Sequence, residues 1–160
     1  MSRNLVQMEN NKIKLDSGLT GIAGEYLVAG ELSRRGYVAS ITLRNTRGID
    51  IVATNKDASK SVGVQVKASS GSQRNWILNK KGEDFYSDTL FYVFVNLKEL
   101  DERSDFFIVP SKVVADFIKF GHAEWLKALS RNGQPHRDTT MRQYSDKEGN
   151  YLERWDLLNL

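Results

Sequence analysis

The spacing of apolar residues changes twice along this chain, and the changes mark out its elements. Residues 1–18 carry no clear period. From Thr20 onward the segment is rich in Ala, Leu and Glu. With Thr20 placed to cap it and Gly36 to stop it, a helix is predicted over residues 20–35. The period then shortens to two. Strands are predicted over residues 37–43, 49–54 and 62–68, the last with Val62, Val64 and Val66 on one face. The polar "SSGSQRN" reads as a loop and residues 76–78 as a short strand. "LFYVFVNL" (90–97) reads as a buried strand and residues 106–109 as another, with "DERSD" a solvated turn between them. Ser111 is placed to cap a helix whose Val114, Phe117 and Ile118 share a face and which Gly121 ends; a short helix over residues 122–130 follows, carrying Trp125, Leu126 and Leu129. "RNGQPHRDTTMRQYSDKEGN" reads as an irregular loop and "YLERWDLLNL" as a final helix. There is no internal repeat and no low-complexity linker. The order predicts a mixed α/β sheet with helices packed on it.

Composition narrows the picture. At 160 residues and 40% hydrophobic, the expectation is one domain over 1–160, with a core at about residues 20–120 and the C-terminal loop and helices, 121–160, appended. With no cysteine, a disulfide scaffold and thiolate metal sites are excluded, and a reducing cytoplasm is expected. No apolar run approaches the roughly 20 residues that span a bilayer, and "MSRNLVQMENNKIKLDSG" is not a signal peptide, so the expected protein is soluble with no membrane partner. The net charge of +3, from 23 basic and 20 acidic residues, decides little. A nucleic-acid partner has to be argued from where the charges sit.

The first helix places a carboxylate where apolar residues are expected. At about 100° per residue, with Glu25 as origin, Leu32 lies about 20° to one side, Ala29 about 40° to the other, and Ile22 and Val28 about 60° on either flank. Glu25 thus reads as the centre of the apolar stripe, with Glu31 and Arg34 on the solvent side. The plainer reading is that Glu25 sits in the first turn, favoured by the helix dipole, and escapes to water.

The hairpin "GIDIVATNKDASKSVGVQVKAS" adds the second half of the pattern. Gln65 and Lys67 share the face opposite Val62, Val64 and Val66. Asp50 joins them if paired residue numbers sum to an odd value, as follows from a turn centred on Asp57 and Ala58; a slip of one residue would put Asp50 among the valines. Two carboxylates, an amide oxygen and a strand carbonyl such as that of Val66 make a hard-oxygen site suited to Mg²⁺ or Mn²⁺. A divalent ion eases deprotonation of water, and together with Lys67 it offsets negative charge on a phosphoryl group under attack. The chemistry implied is phosphodiester hydrolysis. The alternative is a surface hairpin with an Asp–Lys cross-strand pair worth a fraction of a kcal/mol.

"GEYLVAGELSRRGY", "RGIDIVA" and "VGVQVKAS" together resemble the core of the PD-(D/E)XK nuclease superfamily, which includes archaeal-type Holliday junction resolvases; the likeness covers roughly residues 21–70. The resemblance implies a restriction-endonuclease-like α/β fold, a central mixed β-sheet flanked by helices on an α-β-β-β-α-β core. It also implies a Mg²⁺-dependent endonuclease acting on DNA, including structured or branched DNA. Carried over, Glu25 is the helix carboxylate, Asp50 the principal metal ligand, Gln65 the second ligand and Lys67 the catalytic lysine. Gln65 departs from the usual acid: an amide oxygen carries no net charge, so it holds a cation less tightly and cannot act as a base. Glu25 is placed to make up that charge.

Arg44 and Arg47 lead into Asp50, Arg34 and Arg35 end the helix carrying Glu25, and Arg74, Lys80 and Lys81 follow the third strand. Such side chains neutralise backbone phosphates without reading bases. Arg131, His136, Arg137 and Arg142 make the C-terminal loop locally basic. His122 and His136 lie on different elements without metal-ligand spacing, and Trp76, Trp125 and Trp155 read as core or interface anchors. Three readings follow: a Mg²⁺-dependent DNA endonuclease of restriction or repair type, a DNA-binding module that keeps the fold without cleavage, and a protein-interaction domain. The first favours a homodimer, since double-strand cutting calls for two symmetric sites, with Trp155, Leu157 and Leu158 as a dimer face or, equally, as core.

Overall fold

The computed structural model describes residues 15–43 and 48–160. Helix α1 (Ser17–Arg34) starts before Thr20, because Asp16 is its N-cap: the Asp16 carboxylate accepts the Leu19 N–H at 2.8 Å, and the Thr20 hydroxyl donates to the Asp16 carbonyl at 2.7 Å. At the other end Gly36 is the stop, with its N–H on the Ser33 carbonyl and the Tyr37 N–H on the Leu32 carbonyl.

Strands β1 (Val38–Ile41), β2 (Ile51–Thr54) and β3 (Ser61–Ser70) form an antiparallel meander. The chain crosses over to β5 (Leu90–Leu97), which runs parallel to β3, and β6 (Asp105–Pro110) returns antiparallel, giving the sheet order β1-β2-β3-β5-β6. The crossover carries β4 (Asn75–Asn79) and a 3₁₀ turn (Lys80–Glu83) where the α-β-β-β-α-β outline has a helix, and α2 (Ser111–Lys127) follows β6.

The sheet's two faces hold separate cores, as strand alternation requires. On one, Val28 and Leu32 of α1 meet Val62, Val64, Val66, Val93 and Ile108. On the other, Val114 and Ile118 of α2 meet Tyr92, Phe94, Phe107 and Val109, closed over by Trp76, Leu78 and Tyr144. Strand β5 is buried along its whole length because both faces are covered. Phe94 stacks on Tyr144 at 4.6 Å and meets Trp76, tilted, at 4.8 Å; burying each such ring contributes roughly 1.5–3 kcal/mol.

Four expectations are corrected. Helix α2 runs straight through Gly121, so residues 122–127 are its last turns rather than a second helix. A helix glycine costs about 1 kcal/mol, too little to break a helix anchored by Val114, Ala115 and Ile118. Phe117 is not on that buried face: it is 42% exposed and touches Tyr144 edge-on. The expected irregular loop contains β7 (Met141–Ser145), antiparallel to β4, with Arg142 and Tyr144 facing inward. The C-terminal segment forms only a short 3₁₀ turn, Trp155–Leu158, because Trp155 packs on Phe106 and Leu158 joins the core. Trp155 and Leu158 are therefore core residues, not a dimer face.

Glu31 was expected on the solvent side of α1 and is instead 8% exposed. Its carboxylate is held by Arg34 at 2.9 Å, Arg35 at 2.5 Å and Arg103 at 3.2 Å, and Arg35 and Arg103 reach on to Glu153. A buried charge is tolerated when it is paired in this way. No helix among the described residues is long and apolar enough to cross a membrane.

Candidate active site

The β2–β3 register is the one the hairpin pattern required: Ile51 faces Val64 and Thr54 faces Ser61, so paired numbers sum to an odd value about the Asp57–Ala58 turn. Asp50 lies just before β2. Its N–H donates at 2.9 Å to the carbonyl of Val64, the residue already paired with Ile51, so Asp50 and Ile51 face one partner and the ladder bulges at this point. Its Oδ2 accepts the Val66 N–H at 2.7 Å. The carboxylate thus occupies the position where β2 would have supplied a backbone carbonyl.

That geometry also locates the Val66 carbonyl. In a strand, a residue's N–H and C=O point to the same side and successive residues alternate. The Gly63 N–H goes to Thr89, at the start of β5, whereas the Val64 carbonyl and the Val66 N–H go to Asp50. The Val66 carbonyl therefore points toward the β2 side, beyond the last β2–β3 pair, next to the Asp50 carboxylate.

Gln65 and Lys67 project from the face that carries Tyr92 and Phe94, their register partners on β5. Both are partly buried. Among the described residues, neither side chain makes a hydrogen bond or ion pair, and Asp50 Oδ1 accepts none. The Asp50 carboxylate and the Val66 carbonyl lie at the β2 side of β3, and the Gln65 amide projects from the strand next to them. This all-oxygen donor set fits a hard divalent cation. Among the described residues no group of three or more His, Cys, Asp or Glu side chains is gathered as a ligand set, so the charge on such an ion would be met by few carboxylates.

Glu25 is placed differently from its expectation. The buried stripe of α1 is Thr20, Gly24, Val28, Glu31 and Leu32, which puts Glu25 on its flank rather than at its centre. Helix α1 lies on the valine face, opposite Gln65 and Lys67. It approaches so closely that a Cβ on Gly24 would stand 2.6 Å from that of Ala68. Glu25 and Lys67 thus belong to opposite faces of the sheet.

Two features of the site were not legible beforehand. Gly48 has φ +70, and a Cβ there would lie 2.5 Å from the Phe85 ring, so the crossover packs directly on the backbone leading into Asp50. Tyr92 stands beside Gln65, 2% exposed. Burial, and then the Asp50 charge, push its hydroxyl up to about 12. Its sequence context, an unbroken apolar run, gave no sign of a polar group in the site.

The basic residues divide. Arg44 and Arg47 lie outside the described residues. Arg35 is engaged by Glu31 and Glu153 and lies over the Trp155 ring, and Arg34 binds Glu31 from an exposed position. Arg74 donates to the Lys147 carbonyl and covers Phe107; Lys80 pairs with Asp138 at 3.6 Å. Lys81 is exposed and makes no ion pair among the described residues. Arg142, read from sequence as part of a basic loop, is buried against Glu83 and the Thr139 carbonyl. The two histidines, expected apart, both stack on Trp125, at 5.3 Å for His122 and 3.9 Å for His136, and His122 binds Asp138 at 2.8 Å.

The sequence matches no protein-family model and no curated protein. Among solved structures, the chain is similar to the bacterial homing endonuclease I-Ssp6803I, with a TM-score of 0.52 and 15% identity over 90% of this chain and 92% of that one. It is also similar to Hjc, a Holliday junction resolvase of Archaeoglobus fulgidus, with a TM-score of 0.45 and 12% identity over 79% of this chain and 84% of that one. At such identities the likeness is one of fold. The chain has the restriction-endonuclease-like nuclease fold that its motifs implied.

Proposed function

We propose that this protein is a Mg²⁺- or Mn²⁺-dependent endonuclease that hydrolyses phosphodiester bonds in DNA. The observation that carries the reading is the Asp50–Val66 clamp beside two polar side chains, Gln65 and Lys67, that are unengaged among the described residues and share one face of β3. Asp50 Oδ1, the Gln65 amide oxygen and the Val66 carbonyl would hold the ion, with Glu25 adding charge from the flank of α1. When bound, the ion supplies Lewis-acid stabilisation of a phosphoryl oxygen and eases deprotonation of the attacking water.

This chain's own residues supply the rest. The Val66 N–H fixes one Asp50 oxygen and so orients the other. Lys67, two residues past Gln65 on the same face, holds its ammonium where negative charge grows on the phosphoryl group and on the departing oxygen. Arg34, Arg74, Lys80 and Lys81, with Arg44 and Arg47, would track the DNA backbone and make binding salt-dependent. Gln65 favours one competing reading, a DNA-binding module without cleavage, because an amide gives the ion no charge.

The experiment is plasmid nicking across Mg²⁺, Mn²⁺ and no metal, using the full chain. Metal-dependent nicking supports the endonuclease. Salt-sensitive DNA binding with uncut plasmid in both metals supports the binding module instead.

A further inference from the structure

The hydroxyl of Tyr92 is a polar group that the fold buries without giving it a partner. The residue is 2% exposed, and its ring stacks on Phe94 at 5.6 Å. Among the described residues its hydroxyl makes no hydrogen bond. A buried tyrosine normally satisfies its O–H, and one that does not asks for an explanation. Packing fixes where the oxygen sits: a Cβ on Gly82 would stand 3.4 Å from it, so the glycine of the 3₁₀ turn leaves it room. Burial first, and the Asp50 charge second, push this hydroxyl up to about 12, so it stays neutral in ordinary buffers and feels the carboxylate of the site.

The residue paired with it has the complementary need. Gln65 faces Tyr92 across the parallel β3–β5 pair and projects from the same face. An amide that turns its oxygen to a cation still carries two N–H donors that must point somewhere. Two acceptors compete for them, the Tyr92 oxygen and the Asp50 carboxylate, which is held on the N–H of Val66, the next residue along β3. An N–H turned to Asp50 would pair the amide with the carboxylate and turn the amide oxygen away. An N–H turned to Tyr92 leaves that oxygen on the Asp50 side. A carboxylate at position 65 would face no such choice, because both of its oxygens accept.

We propose that Tyr92 is a positioning residue: its hydroxyl oxygen accepts an N–H of Gln65 and so aims the amide oxygen toward Asp50 and the Val66 carbonyl. The inference rests on the reading of Gln65 as a metal ligand and deepens it. Neither side chain has another hydrogen-bond partner among the described residues, and their Cα atoms are paired in the ladder, so a turn about the Gln65 side-chain torsions makes the bond. Partners that orient a ligand in this way typically change metal affinity by about 10–100-fold.

The test is Mn²⁺ binding by the full chain, followed as loss of the free Mn²⁺ signal in electron paramagnetic resonance, which needs no cleavage. Wild type, Tyr92→Phe, Gln65→Glu and the double variant form a cycle, and phenylalanine keeps the stacking on Phe94. Tyr92→Phe is expected to weaken binding about tenfold when Gln65 is present, and to leave it unchanged in the Gln65→Glu background. Equal weakening in both backgrounds is what a merely structural role gives, and it overturns the proposal. So does a Tyr92→Phe variant that binds like the wild type, or a wild type that binds no Mn²⁺. Tyr144→Phe removes a buried hydroxyl from the same core without facing Gln65, and it should bind as the wild type does. A chain that shows the expected cycle and yet leaves plasmid uncut fails the endonuclease reading while supporting this one.

Discussion

Asp50 Oδ2 and the Val66 N–H, 16 residues apart in sequence, meet at 2.7 Å across the point where β2 stops pairing with β3. The bond makes a side chain do what the ladder no longer does, and so couples hairpin register to the aim of the carboxylate. What holds Asp50 from behind is the tight turn at Gly48, pressed on Phe85. Gly48→Ala is therefore expected to cost about 1–3 kcal/mol, from the positive φ and the ring clash together. Cleavage should fall with it. Adding Phe85→Ala should recover part of the stability in a double-mutant cycle measured by urea unfolding; strict additivity would mean that the contact does not carry the effect.

On the proposed reading, Gln65 is the ligand that sets the metal requirement. Gln65→Glu adds a negative charge beside Asp50, and the Mg²⁺ concentration for half-maximal cleavage is expected to drop several-fold. A titration of nicking rate against Mg²⁺ that is superimposable on wild type would remove Gln65 from the ligand set.

Glu31 makes acid stability predictable. Burial pushes its carboxyl up, but hydrogen bonds and charges from Arg35 and Arg103 outweigh that and hold it below its ordinary 4.5. A lowered folded value means that the contribution is complete above pH 4.5 and is lost as pH falls through the folded value. Glu31→Gln should thus cost about 1–3 kcal/mol near neutrality, and the gap from wild type should close in more acidic solution. Melting temperatures of both proteins across acidic pH give the answer; a gap that stays constant would show that the pairing is not what Glu31 contributes.

Two buried tyrosines govern the alkaline limit. Burial first, and Asp50 second, raise Tyr92 to about 12; burial raises Tyr144 further, with Asp146 and Tyr151 adding to it. Raised values mean that stability is whole below the ordinary tyrosine value of 10.0 and declines as pH climbs past it, when the unfolded chain ionises and the folded one does not. Tyrosinate absorbance should accordingly show a late step that coincides with loss of near-ultraviolet circular dichroism. The double substitution to Phe should remove that step; its persistence would assign it to other tyrosines.

Much of this was legible in the chain because local and long-range signals agreed. The valines of β3 fixed which face Gln65 and Lys67 take, and the odd-sum register followed from keeping Asp50 out of the core. Legibility failed where charge was buried by pairing. Arg142 hid the period-two pattern of β7, since an inward arginine reads as a loop residue until Glu83 is seen against it. Glu31 looked solvent-facing because its partner Arg103 lies far along the sequence. Glu25 looked central because the reading weighed leucines and valines, while α1 seats itself through the small Gly24.

The most direct measurement is supercoiled-plasmid nicking in Mg²⁺ by the wild type, Asp50→Asn and Lys67→Ala, each first shown to melt like the wild type. An amide at position 50 can still accept the Val66 N–H, so the fold should hold while the charge is gone. Nicking by the wild type with at least a hundredfold loss in both variants, about 2.7 kcal/mol of transition-state stabilisation or more, is the predicted result. Equal nicking by all three proteins would place the chemistry elsewhere or in a contaminant, and would contradict the assignment of this site.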